Sequence, residues 1–182
     1  VDMQPSEAMK AFAEGQGDAI ALWAPQTFEA EKLGLKTIAH SSDCNARQPI
    51  LLVANMDYAN KHKGDIVAFL RVYLRSVDMM KKTPAEDLAD DYMRFYNAWT
   101  GKAMTREEAI RDIKDHPVYA LDQQLAMFKQ SYGTSELREW LHDIVSFQNE
   151  TGELDRRDLA RLERLHYVTD IYLKAVKEPA KK

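Results

Sequence analysis

The run Trp23-Ala24-Pro25-Gln26-Thr27 brings together residue types suited to holding a small ligand. An indole stacks on a flat or apolar part of a molecule, and the first backbone N–H groups of a helix carry partial positive charge. With Pro25 in a first helical turn, free amides near Gln26 and Thr27 favour a sulfonate, a carboxylate or a nitrate. The bland alternative is that Trp23 is core and the helix start is capped by its own side chains. A second polar stretch, His40-Ser41-Ser42-Asp43-Cys44-Asn45-Ala46-Arg47-Gln48, is dense in hydrogen-bonding groups, and its Ser41, Ser42 and Asp43 join the candidate ligand contacts. Long polar loops often carry function, yet most are simply solvated. Arg47 suits an anion but stays hydrated readily at a loop tip. Cys44 reads as an inert thiol, with no basic helix terminus to acidify it.

Other chemistry finds little support. His40, His62, His116, His142 and His166 show no two-ligand helical spacing, so no metal site is expected. The carboxylate pairs Asp90-Asp91, Glu107-Glu108 and Asp112 with Asp115 read as solvated helix exteriors. Tyr92, Phe95, Tyr96 and Trp99 recur at helical spacing, and core packing is the default meaning of such a stripe. The sequence carries no nucleophile motif, phosphate loop or dinucleotide fingerprint, so neither a catalytic residue nor a cofactor is expected.

The elements that must position Trp23 read helix, strand, helix. Ser6 is a candidate N-cap, Ala8, Met9, Phe12 and Ala13 make one face, and Gly15 is a candidate stop. Residues 19–22 are short and wholly apolar, as a strand covered on both faces would be. A helix over 25–34 has Phe28 and Leu33 facing inward and ends at Gly34; residues 36–39 and 50–54 predict two more strands, the latter the strongest in the chain. This succession argues for an α/β front half. Beyond Asn55 the pattern is helical: a short turn over 57–62, then a long helix from Gly64-Asp65 whose Ile66, Phe69, Leu70, Tyr73, Val77 and Met80 keep a 3.6-residue period. Thr83-Pro84-Ala85-Glu86 and Thr105-Arg106-Glu107-Glu108 both spell capping boxes. Helices over 121–129, 135–148 and 155–176 complete the chain.

With 182 residues, 45% of them hydrophobic and 30% charged, the chain has the composition of a globular protein. Its length suits one domain or part of a larger two-lobed one. A net charge of −4 leaves no electrostatic footprint for nucleic acid. No apolar run approaches the roughly 18 residues needed to span a bilayer, and no signal-peptide pattern stands at the first residue, so the chain reads as soluble in this form. A single cysteine excludes an internal disulfide and a cysteine-based zinc cluster.

The stretch from Ala8 to Ala19, followed by Trp23-Ala24-Pro25, resembles the second lobe of periplasmic solute-binding proteins of the sulfonate, taurine, nitrate and thiamine-precursor group. Gly15, Asp18, Ala19, Trp23 and Pro25 carry the match, while Ala24 stands where the group usually has an acidic residue. The resemblance extends through a strand like 50–54, a helix like 65–82, and two closing elements at 150–154 and 170–175. It implies a type II periplasmic-binding fold of which this chain is the C-terminal portion. Residues 1–40 would then be a remnant of the second lobe, 41–48 a crossover loop, and 49–182 the returning part of the first. The implied function is capture of a small anionic or zwitterionic solute for the membrane permease of an ABC transporter, with no enzyme activity and a periplasmic or lipid-anchored extracytoplasmic location. The alternatives are an enzyme of thiamine-precursor synthesis on the same scaffold, or a ligand-sensing or interaction domain. Unpaired strand edges in such a fragment imply self-association.

Overall fold

A computed structural model describes residues 3–44, 46, 49–155, 157, 158, 160 and 168–177. In chain order the helices are α1 (Pro5–Ala13), α2 (Gln26–Lys32), α3 (Met56–Lys61), α4 (Lys63–Lys82), α5 (Ala85–Thr100), α6 (Arg106–Asp115), α7 (Leu121–Phe128), α8 (Glu136–Glu150) and α9 (Ile171–Lys177), with one 3-10 turn at Ser41–Cys44. The helix-rich character expected beyond Asn55 is present. The strands are not. Residues 19–22, 36–39 and 50–54 have no regular secondary structure, and the only β pairing among the described residues is an isolated bridge between Ser131 and Thr134. A strand exists only where a neighbour takes up its N–H and C=O groups, and these segments have none. In the second and third of these segments the large apolar side chains are open to solvent, Ile38 being 84% exposed, Ile50 93% and Val53 92%, while Ile20 and Leu22 are partly buried. Among the described residues the architecture is therefore mostly helical: the helix-rich C-terminal half is as expected, while the strands expected of an α/β front half are absent.

The chain divides into two compact units, Val1–Ala46 with Pro84–Pro117, and Arg47–Thr83 with Val118–Lys182. The first is centred on α5 and α6, where Ala89, Met104 and Ala109 are buried and Tyr92, Met93, Tyr96 and Ile110 close around them. Small side chains at Ala89 and Ala109 let the two helices approach closely. Thr105 caps α6 as expected, accepting the Glu108 N–H at 3.2 Å, while Glu108 accepts the Thr105 N–H at 2.8 Å. Losing such a cap costs about 0.5–2 kcal/mol. Gly101 ends α5 at φ 69°, a left-handed conformation that glycine adopts without steric cost.

Other local expectations need adjustment. Gln4, not Ser6, is the N-cap of α1, since Pro5 already occupies the first helical position. Thr83 does not cap α5, whose N-cap is Pro84 without a side-chain bond; Glu86 instead pairs with Lys114 at 2.7 Å. Leu33 is 64% exposed, because α2 stops at Lys32 and the chain turns at Gly34 with φ 83°. The aromatic stripe of α5 is split: Tyr92 and Tyr96 face the core, but Phe95 and Trp99 stand 64% and 79% exposed and stack on each other at 5.8 Å. The face that packs is narrower than the apolar pattern, because Ala85 and Ala89 define it.

In the second unit, Leu70 and Leu74 of α4 are buried with Leu173 of α9, and Leu121, Leu125 and Phe128 of α7 pack against them. Phe69, expected on the inner face of α4, is 58% exposed, because the buried row runs through Val67, Leu70, Leu74 and Val77. The helix expected over 155–176 is not continuous. Residues 157, 158 and 160 are helical, 161–167 lie outside the described residues, and 168–170 are non-helical before α9 begins.

Candidate functional site

Trp23 sits just before α2 and is 63% exposed, so its indole is available for stacking and is not core. Pro25 is the N-cap of α2 and not its first helical residue. The Thr27 N–H is not free: it donates to the Trp23 carbonyl at 3.3 Å, and Phe28 N–H donates to the Pro25 carbonyl at 3.0 Å. That corrects the expectation of open amides at both Gln26 and Thr27. Gln26 contributes something else. Its Oε1 is out of solvent and has no hydrogen-bond partner. Phe28, in the first turn of the helix, is 5% exposed and anchors the segment, with burial of such a side chain worth about 1.5–3 kcal/mol.

The Ser41–Asp43 segment forms the 3-10 turn. Asp43 is used locally, its Oδ2 accepting the His40 N–H at 2.7 Å while the His40 carbonyl accepts the Asp43 N–H at 3.0 Å. Ser41, Ser42 and Cys44 are exposed. Among the described residues no hydrogen bond or ion pair joins this turn to Trp23–Thr27. Asn45, Arg47, Gln48 and His166 lie outside the described residues.

What fixes α2 is a set of charges that periodicity does not single out. Arg111 of α6 donates two hydrogen bonds to Glu31, at 2.6 and 2.9 Å, and lies over the Phe28 ring at 5.0 Å. Lys32 pairs with Glu108 at 2.5 Å, and Lys102 with Glu29 at 3.4 Å. The Arg111 hydrogen bonds hold the Glu31 carboxyl below its ordinary value. Lys32, then the Thr105 N–H, do the same for Glu108. The acidic residues at 29 and 31 and the basic residues at 102 and 111 are visible in the sequence, but only the fold pairs α2 with α6 at Arg111 and with the α5–α6 connection at Lys102.

Asp112 is a second correction, buried at 7% exposure rather than on a solvated exterior. Its Oδ2 accepts a short hydrogen bond from the Tyr92 hydroxyl, and its Oδ1 is out of solvent without a hydrogen bond. His116 Nδ1 lies 2.9 Å from the Asp112 carbonyl oxygen and 3.2 Å from Oδ1. Burial first, then the Asp112 hydrogen bond, push the Tyr92 phenol well above its ordinary value.

Residues 1–87, which contain the whole Trp23–Asp43 region, match the family described as NMT1/THI5 like. A Bacillus subtilis protein named "Putative aliphatic sulfonates-binding protein" is 24% identical over 132 residues, covering 71% of this chain and 40% of the relative. The chain is similar to solute-binding proteins. A Brachyspira hyodysenteriae protein named "Putative ABC transporter periplasmic binding protein" is 25% identical over 117 residues, 64% of this chain and 33% of the relative. The chain thus spans well under half the length of these solute-binding relatives. No solved structure matches it significantly. Among the described residues no helix is long and apolar enough to cross a membrane.

Proposed function

We propose that the chain is part of a solute-binding protein that delivers a small anionic or zwitterionic compound to the permease of an ABC-type uptake system. Aliphatic sulfonates lead the candidates, with taurine, nitrate and pyrimidine precursors behind them. The observation that carries this reading is the family match over residues 1–87, supported by relatives named for sulfonate binding and for periplasmic binding. In this reading residues 1–40 belong to one lobe, 41–48 cross over and 49–182 return to the other, and the protein works outside the cytoplasm. Ligand capture needs closure of lobes and no bond-making.

Trp23, Pro25, Gln26, Thr27, Ser41, Ser42 and Asp43 are the proposed contacts. The exposed indole supplies an apolar platform. An unpartnered buried acceptor such as Gln26 Oε1 costs about 1–3 kcal/mol, and a donor from the ligand, such as the ammonium of taurine, recovers it. Calorimetry of the full chain with hexanesulfonate, taurine and nitrate tests the reading. Trp23→Ala is expected to weaken binding by about 1–3 kcal/mol. Equal affinity in a folded variant would remove Trp23 from the site. The family description also keeps an enzyme of thiamine-precursor synthesis in view. Recovery of the ligand chemically altered after incubation with the chain would favour that second reading.

A further inference from the structure

The second unit holds an open cleft of about 870 Å³ between α7, the start of α8, and the residues leading into α9. Its charges do not balance. Lys129, Arg138, Lys174 and Lys177 line it, against the carboxylates of Asp122 and Asp170. Both carboxylates are taken: Lys174 pairs with Asp170 and Lys177 with Asp122, each at 2.7 Å. Lys129 and Arg138 are left as two cations with no side-chain hydrogen bond or ion pair among the described residues. Arg138 is only half-exposed, and its place is set by its own backbone, whose N–H donates to Ser135 Oγ at 3.3 Å, with Ser135 6% exposed. Leu125, Ala126, Phe128 and Val168 give the cleft an apolar wall beside these charges.

Arg138 is a partly buried side chain whose guanidinium has no partner among the described residues, and its planar fork of donors matches two oxygens of one oxyanion. We propose that this cleft binds a small organic anion, a sulfonate or carboxylate with a short apolar body. The oxyanion bridges Arg138 and Lys129, and the apolar body lies on Leu125 and Phe128. The cleft's volume is that of an ordinary small-molecule site. The inference stands on the second unit alone and goes beyond the solute-binding reading, whose contacts lie in residues 23–43.

The test is made in a Trp23→Ala background, which weakens the first site, and the Leu125 and Thr169 amides and the Arg138 variant report on the cleft itself. Hexanesulfonate is titrated by calorimetry, with hexylammonium as the probe of opposite charge, and amide shifts of Leu125 and Thr169 are followed by NMR. Hexanesulfonate is expected to bind and shift both amides, hexylammonium to do neither, and the anion's affinity to fall about ten-fold on adding Arg138→Gln. Lys129→Gln, a change at an exposed side chain, should weaken it by a smaller factor in the same direction. Absence of hexanesulfonate binding in Trp23→Ala, or equal affinity with and without Arg138→Gln, would overturn the cleft site while leaving the Trp23 proposal to its own experiment.

Discussion

Arg111 grips Glu31 with two hydrogen bonds, at 2.6 and 2.9 Å, while the same guanidinium covers the Phe28 ring at 5.0 Å. One side chain of α6 therefore holds both the charged edge and the buried anchor of the helix that follows Trp23. An exposed ion pair is worth about 0.2–1 kcal/mol and a cation–π contact about 0.5–1. Arg111→Ala is expected to destabilise the chain by about 1–2 kcal/mol in urea unfolding. Arg111→Lys should recover only part of it, because an ammonium cannot present two parallel donors.

Acid should loosen the same contact. Glu31 and Glu108 both have carboxyl groups held below 4.5, by Arg111 and by Lys32 respectively. A depressed folded value means that the unfolded state takes up protons first as pH falls. The stability these groups contribute is complete above 4.5 and lost as pH falls through their lowered folded values. Urea midpoints measured from pH 7 down to 3 should drop below 4.5. The drop should be shallower in the Glu31→Gln, Glu108→Gln double variant.

Tyr92 and Asp112 make the opposite prediction at alkaline pH. The folded phenol is raised above its ordinary 10.0 by burial and by the Asp112 hydrogen bond, so its contribution is fully present below 10.0 and declines as pH rises through the folded value. Ultraviolet titration should show one tyrosine that resists ionisation until the chain unfolds. Tyr92→Phe abolishes that late step and strands Asp112 Oδ2 without its donor, at a cost of about 1–3 kcal/mol in urea unfolding.

Ile50 and Val53, 93% and 92% exposed on a segment without regular structure, form an apolar stretch with open backbone groups. Such a stretch is a template for pairing with another chain. Sedimentation at several concentrations is expected to show self-association, and Ile50→Lys with Val53→Lys to reduce it. A strictly monomeric parent chain would remove this stretch as an interface.

Helix positions were legible where a local signal carries its own physics. The Thr105–Glu108 box caps α6 and Gly101 stops α5, because each needs only residues within one turn. The similarity to solute-binding proteins was also legible, in the run ending at Trp23 and Pro25. Less legible was which apolar residues are buried. Phe69, Phe95 and Trp99 share the helical period of their buried neighbours yet stand exposed, since period marks a face and only a packed partner decides its width.

The apolar segments over 19–22, 36–39 and 50–54 show the limit most clearly. Their composition determined that each could be a strand, but a strand is completed by another chain segment, and no local pattern supplies one. Likewise the sequence by itself determined the capped helices and the charges at Glu31, Arg111, Lys129, Arg138 and Asp112. Only the tertiary structure decided that Arg111 meets Glu31, that Asp112 is buried beneath Tyr92, and that Lys129 and Arg138 face one cleft unpaired. Charge is a property of a residue, whereas its partner and its solvent are properties of the fold.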